Sequence, residues 1–251
     1  MQKEGLSELQ ALEQSDLLIH KIKVNIRNYI IECQKRKISP KYIYNEYDDD
    51  YLVRIDLLYD GQEAEEKRRV ILWKDKIFEL IKKLDWEEFE KVCKIVLDIN
   101  DISDSKVTRR SKEGGVDVYG WLKFNINSKR ILSDTSIRIV GQGKHKTNAS
   151  QVSNADVSEF VTDIDKLRKK QGSSLFVLPD EFVNSPTPII PVIITNGYFS
   201  PETEKTAINY GIITWNGVQI SEDIATHFDL SFCIKNNEID EDLFKQYLNN
   251  M

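Results

Sequence analysis

The sequence predicts an α/β domain built on a mixed sheet with helices on both faces, preceded by a smaller unit. Three observations predict it. Apolar runs of strand length, at residues 116–124, 135–142 and 189–195, alternate with amphipathic helical stretches. The run at 189–195 is apolar almost throughout, as befits a strand covered on both sides rather than one. Turn signals such as Asn196-Gly197 and Asn216-Gly217 follow the later runs.

The first stretch, to about Tyr59, reads as separate from the rest. Leu9, Leu12, Leu17, Leu18, Ile22, Ile26, Tyr29 and Ile30 recur at mostly three- and four-residue steps, the pattern of a helix with an apolar stripe. Ser39-Pro40 breaks it. An aromatic-rich segment comes next at 42–47, then a strand-like run at 51–57. These aromatics either stack against a ligand or partner or pack the helix onto the next domain. Residues 61–69 form a charge-dense helical entry or linker, acids before bases, which suits the helix dipole.

From Asp75 two helical stripes appear, Ile77, Leu80, Ile81 and Leu84, then Phe89, Val92, Cys93, Val96 and Leu97, with Asp85 between them as an N-cap. Residues 103–110 read as a polar loop, and 125–133 as a second loop between two strands. An amphipathic helix starts at Asp156 and carries Val157, Phe160, Val161, Ile164 and Leu167. A strand is expected at 174–178, a proline-rich detour at 179–188, and a helix at 201–210 with Pro201 in its first turn and Gly211 past its end. A strand at 211–215 turns at Asn216-Gly217, and Ser221 caps a short helix to Phe228. The expected division is residues 1–74 as a small, mainly helical interaction region, 75–228 as the main domain, and 229–251 as a strand–helix extension.

Composition narrows the function. With 251 residues, 40% of them apolar, the chain can bury one substantial core plus an appendage. A net charge of −6 argues against a protein that coats nucleic acid non-specifically, which needs a basic surface. It leaves room for a local cationic cleft, and for a metal ion that brings its own charge. No run approaches the ~20 apolar residues of a membrane span, and the first residues lack the basic and apolar segments of a signal peptide. A cytoplasmic location without membrane contact is the expectation. Cys33, Cys93 and Cys233 are odd in number and widely spaced, so neither a disulfide framework nor a zinc knuckle is indicated.

One set of residues carries chemistry. Asp117 follows Gly114-Gly115 inside an apolar strand, where a carboxylate is costly unless paired or metal-bound. Gln142 and Lys144, two apart at the end of another strand, share one face, while Gly143 and His145 face the other way. Glu90, on the helix upstream, lies just off the apolar stripe. A carboxylate, an amide and an ammonium on adjacent strand ends suit metal-assisted phosphodiester hydrolysis. Asp117, Glu90 and the Gln142 side-chain oxygen offer hard ligands for Mg²⁺, with Mn²⁺ able to substitute. Lys146, with Arg109 and Arg110, would flank such a site as DNA-phosphate contacts, or these are plain surface charge clusters. Each residue also has a plainer role: Asp117 as a turn residue bonded to amides, Lys144 as a solvated edge lysine, Glu90 as a surface acid with Glu88 competing for its place.

Glu113-Gly114-Gly115-Val116-Asp117-Val118 and Ile139-Val140-Gly141-Gln142-Gly143-Lys144, downstream of Phe89-Glu90, resemble the Mrr-like restriction endonucleases of the PD-(D/E)xK nuclease superfamily. The likeness runs from about Lys83 to Phe228, through the strand ends at 193–200 and 212–217. It departs from the family pattern at Glu113, where an aspartate is more usual, and in the longer segment 173–188. The resemblance implies a restriction-endonuclease-like fold, with Asp117 and Glu90 binding metal, Gln142 standing where related enzymes carry an acid, and Lys144 as the active-site lysine. It further implies a Mg²⁺-dependent DNA endonuclease in prokaryotic restriction or anti-phage defence. The alternative is a catalytically weak nuclease-fold module that binds DNA or a partner protein in a defence complex. The N-terminal region is the expected surface for a homodimer, a higher oligomer or a partner protein.

Overall fold

The computed structural model describes residues 8–35, 40–45, 48–108, 115–124, 136–147, 150–172, 178–236 and 238–251. The chain divides into two units, Met1–Lys67 and Arg68–Met251, with the division inside a helix.

In the first unit, α1 (Glu8–Lys35) is followed by the antiparallel hairpin of β1 (Tyr42–Asn45) and β2 (Asp48–Arg54). Two of the tyrosines act locally. The Tyr44 hydroxyl donates to the Lys23 carbonyl at 2.8 Å, and the Tyr29 hydroxyl accepts from the Lys41 N–H at 2.9 Å. They therefore tie the hairpin to α1. The charge-dense segment is the first part of one long helix, α2 (Gly61–Lys83), so the apolar stripe from Ile77 continues a helix already under way.

In the second unit, α3 (Trp86–Ile99) starts at Asp85, whose side chain accepts from the Glu88 N–H while the Glu88 carboxylate accepts from the Asp85 N–H. This capping box accounts for Glu88 and removes it as a competitor for the role of Glu90. The sheet contains β3 (Ile102–Val107), β4 (Val118–Lys123), β5 (Ser136–Lys144), β7 (Ile189–Thr195) and β9 (Ile213–Trp215), in the order β3-β4-β5-β7-β9. The β3-β4-β5 pairs are antiparallel, whereas β5-β7-β9 is parallel. β6 (Gln151–Val152) pairs in parallel with β8 (Tyr198–Phe199) outside this sheet.

Helices cover both faces. Ile77 and Leu80 of α2, Phe89, Val92 and Cys93 of α3, and Ile220 of α7 (Gly217–His227) pack with Val118, Ile139, Val192 and Ile194 on one face. The C-terminal helix α8 (Glu241–Asn249), after the short hairpin β10 (Ile234–Lys235) and β11 (Glu238–Ile239), adds Phe244 and Leu248 to that core. On the other face, Val157, Phe160, Ile164 and Leu167 of α4 (Asn154–Arg168), Phe182 of α5 (Asp180–Asn184) and Ala207 of α6 (Pro201–Asn209) pack with Tyr119, Val140 and Ile193. The alternation of Val118 with Tyr119, Ile139 with Val140, and Val192 with Ile193 is the two-residue period of a sheet buried on both sides. Arg138, buried in β5, fastens the proline-rich detour by donating to the carbonyls of Phe182, Val183 and Thr187.

Three expectations are corrected. The polar loop at 103–110 is largely strand β3, whose apolar pattern is broken by a register shift between Ser103 and Lys106 and by positive φ at Asp101 and Asp104. Asn216-Gly217 is no hairpin turn. Asn216 caps α7, its side-chain oxygen accepting from the Val218 and Gln219 N–H groups at 3.0 Å each. Ser221 accordingly lies inside that helix, donating to the Gly217 carbonyl at 2.6 Å. The strand expected at 174–178 and the loop at 125–133 fall wholly or largely outside the described residues.

Gly217 packs where a side chain has no room, since a Cβ there would lie 2.4 Å from the Asn196 carbonyl oxygen and 2.6 Å from Phe78 Cε2. Gly217→Ala is expected to cost about 1–3 kcal/mol by forcing these elements apart. Urea unfolding measures it, and an unchanged midpoint would contradict the packing described.

Candidate active site

β4 and β5 lie side by side, with Val118 opposite Gly141 and Tyr119 opposite Val140. At their ends the polar residues of the two motifs meet. The Asp117 N–H donates to the Gly141 carbonyl at 2.9 Å, and the Asp117 carboxylate accepts from the Gly143 N–H through Oδ2 at 2.8 Å. Burial pushes the Asp117 carboxyl up to about 6, with the Gly143 N–H and the Lys144 charge only partly offsetting it. An ionised carboxylate held in so dry a place calls for a cation.

A cleft of about 430 Å³ opens over this point, lined by Trp86, Phe89, Glu90, Asp117, Gly143, Lys144, His145, Lys146 and Asp156. Glu90 reaches it from α3. Glycine at 143 matters, because a Cβ there would sit 3.2 Å from the Cys93 sulfur and 3.7 Å from Asp117 Oδ2. Cys93 is fully buried. Its thiol is pushed well above its ordinary value by burial and by the charges of Asp117 and Glu90, which suits packing rather than nucleophilic attack.

Side chains of β5 alternate as a strand requires. Gly143 faces α3, and His145 packs at a tilt against Phe89 with ring centroids 5.8 Å apart. Lys144 points to α4, its ammonium 3.6 Å from Asp156 and 3.4 Å from Glu159. Lys146 Nζ donates to Asp156 Oδ2 at 2.7 Å. Burial raises the Asp156 carboxyl, but the Lys146 ammonium and the Ser153 N–H and hydroxyl outweigh it and hold it well below the usual carboxylate range. One carboxylate thus gathers both lysines at the first turn of α4.

Gln142 is buried and does not line the cleft. Its amide nitrogen lies 3.2 Å from the point a Gly115 Cβ would occupy, close to Asp163 of α4, and its Oε1 has no hydrogen-bond partner among the described residues. A buried amide oxygen left in this way is an available ligand atom. Among the described residues no three His, Cys, Asp or Glu side chains gather. The hard donors on offer are therefore two carboxylates in the cleft, Asp117 and Glu90, and the buried Gln142 oxygen. This is a donor set that fits a divalent ion still carrying several waters. Arg109, Arg110 and Glu113 lie outside the described residues.

Four residues of this region carry no clear signal in the sequence. Asp156 and Glu159 are i, i+3 neighbours on α4, and the Ser153-Asn154-Ala155-Asp156 spacing is a capping-box signal, but nothing local links either acid to the lysines. Thr195 and Asn196, at the end of β7, bond to the backbone of Lys144 and Lys146.

Part of the chain matches a known family. Residues 81–185 match the family model Mrr_cat, described as restriction endonuclease. The matched segment takes in Glu90, Asp117, Gln142, Lys144 and Lys146. Among solved structures, the chain is similar to the MspJI restriction endonuclease in complex with a 27-mer oligonucleotide, at 17% identity and a TM-score of 0.46, over 76% of this chain and 37% of that one. It is also similar to the restriction endonuclease FokI bound to DNA, at 7% identity and a TM-score of 0.42, over 66% of this chain and 30% of that one. The similar region is thus well under half the length of either protein. No curated protein sequence matches the chain significantly.

Proposed function

We propose that the chain is a divalent-metal-dependent endonuclease that hydrolyses phosphodiester bonds in DNA. The observation that carries this reading is the meeting, at adjoining strand ends in an open cleft, of a desolvated Asp117 carboxylate and the Lys144 ammonium. The restriction-endonuclease match to residues 81–185 supports DNA as substrate.

Asp117 and Glu90 would hold the ion from the cleft wall, with Gln142 Oε1 as the third candidate ligand. Mg²⁺ is the expected ion and Mn²⁺ a substitute, since all three donors are hard oxygens. Once bound, such an ion polarises the scissile phosphate and lowers the pKa of an attacking water. The chain's own residues do the rest. Gly143 N–H holds the Asp117 carboxylate in place. Lys144, kept at the cleft by Asp156 and Glu159, offsets the charge that builds on the phosphate in the transition state. Lys146, beside it, is placed to contact a neighbouring phosphate, and Arg109 and Arg110 are assigned the same task from their place in the sequence. A role in prokaryotic restriction or anti-phage defence, in the cytoplasm, fits an enzyme of this class. The first unit, with Leu17, Leu18 and Ile22 of α1 exposed, is then the part that meets a second copy or a partner protein.

The test is incubation of the full chain with supercoiled plasmid in Mg²⁺, in Mn²⁺ and in EDTA. Nicked or linear product with either ion and none in EDTA is expected. DNA binding with no product under any condition would favour the alternative, a nuclease-fold module without turnover.

A further inference from the structure

We propose that Thr195 and Asn196 are positioning residues that set Lys144 and Lys146 in the cleft; the inference rests on the hydrolytic reading of Lys144 given above. The parallel ladder between β5 and β7 ends with Lys144 opposite Thr195. Past that rung, side chains take over the bonding. Thr195 Oγ1 donates to the Lys144 carbonyl at 2.7 Å and accepts from the Gly197 N–H at 3.0 Å. Asn196 Oδ1 accepts from the Lys146 N–H at 2.7 Å, and its Nδ2 donates to the Lys146 carbonyl at 3.2 Å.

Both residues are fully buried, at 0% exposure, although they stand at the end of a strand, beside the part of the neighbouring segment that lines the cleft. The single Asn196 amide makes with Lys146 the two bonds a neighbouring strand would make. Its own main chain cannot drift, because α7 begins against it at Gly217, whose N–H donates to the Gly197 carbonyl at 3.0 Å. Each lysine is therefore fixed twice, by Thr195 or Asn196 at the backbone and by Asp156 at the ammonium. Burying so many satisfied polar atoms is a costly way merely to end a strand, and a direct way to hold two long side chains at a set spacing.

The two residues divide the work. Thr195 holds the lysine that faces the reacting phosphate, so its loss lowers kcat. Asn196 holds the lysine assigned to phosphate contact, so its loss raises KM. The experiment compares steady-state plasmid cleavage by the full-length Thr195→Val and Asn196→Ala variants with that by Ser221→Ala. This control also removes a buried hydrogen bond, inside α7. A fall in kcat of about tenfold with KM nearly unchanged is expected for Thr195→Val, the reverse for Asn196→Ala, and neither for Ser221→Ala. Parallel changes in both constants for all three variants would overturn the assignment. Thr195→Val is nearly isosteric and carries the test if Asn196→Ala fails to fold. If the wild-type chain cleaves nothing, the nuclease reading fails by itself, and amide exchange decides whether Thr195 and Asn196 hold the two lysines. Faster exchange of the Lys144–Lys146 segment in Thr195→Val or Asn196→Ala supports it, and unchanged exchange in both overturns it.

Discussion

Asp117→Asn is expected to lose cleavage by about 10²–10³-fold or more while gaining stability at neutral pH in the absence of divalent ions. Both effects have one cause. The folded-state pKa of Asp117 is raised by burial from 3.8 to about 6, so the folded chain holds a proton that the unfolded chain releases earlier. Stability of the metal-free protein therefore falls as pH rises from about 4 to about 6, and the full penalty stands above that window. A shift of this size corresponds to at most about 3 kcal/mol. Asparagine removes the charge, and its side-chain oxygen can still accept from the Gly143 N–H. Thermal unfolding in EDTA should show the two proteins alike near pH 4 and the variant ahead at pH 8. Adding Mg²⁺ should raise the melting temperature of the wild type alone. A wild type that is the more stable of the two at pH 8 in EDTA would contradict this account of Asp117.

Lys144→Ala is the second large effect, a loss of about 10²–10³-fold in kcat with a fold left intact. The side chain lines the cleft and belongs to neither apolar core, so truncation removes little core packing. Asp156 keeps its short bond to Lys146 and its bonds to Ser153, and so is not left as a buried, unpaired charge. A lysine of merely structural use would show the opposite pattern, with a lower melting temperature and near-normal turnover. Single-turnover cleavage and thermal unfolding on the same preparation separate the two. Retained turnover would remove Lys144 from the chemistry.

Much of the fold is legible because burial on two sides writes itself into the sequence. The apolar run at 189–195 forms the interior strand β7, and the two motif-bearing runs form β4 and β5, which pair with each other. The helix caps at Asp85 and around Pro201 obey local rules that need no tertiary partner. β3 is not legible, because it lies at a sheet edge and carries a register shift that breaks the two-residue period. Asn216-Gly217 misleads for a different reason. Asparagine serves equally as a turn residue and as an N-cap, and only the helix after it decides between them.

At the site, the meeting of Asp117 with the end of β5 is foreseeable from the spacing of the motifs. The network around it is not. Asp156 lies 10 residues from Lys146, and Asn196 lies 50 residues from it; they meet only because α4 and the end of β7 converge on the end of β5. The sequence places Gln142 beside Asp117 as a ligand, but strand alternation turns its side chain toward α4, and it is not among the residues that line the cleft.

The most direct measurement is anomalous diffraction from crystals of the full chain grown with Mn²⁺. An anomalous peak in the cleft within ligand distance of the Asp117 carboxylate, and absent from Asp117→Asn crystals, is the predicted result. A chain that cleaves DNA while its only bound Mn²⁺ lies away from Asp117 and Glu90 would contradict the assignment.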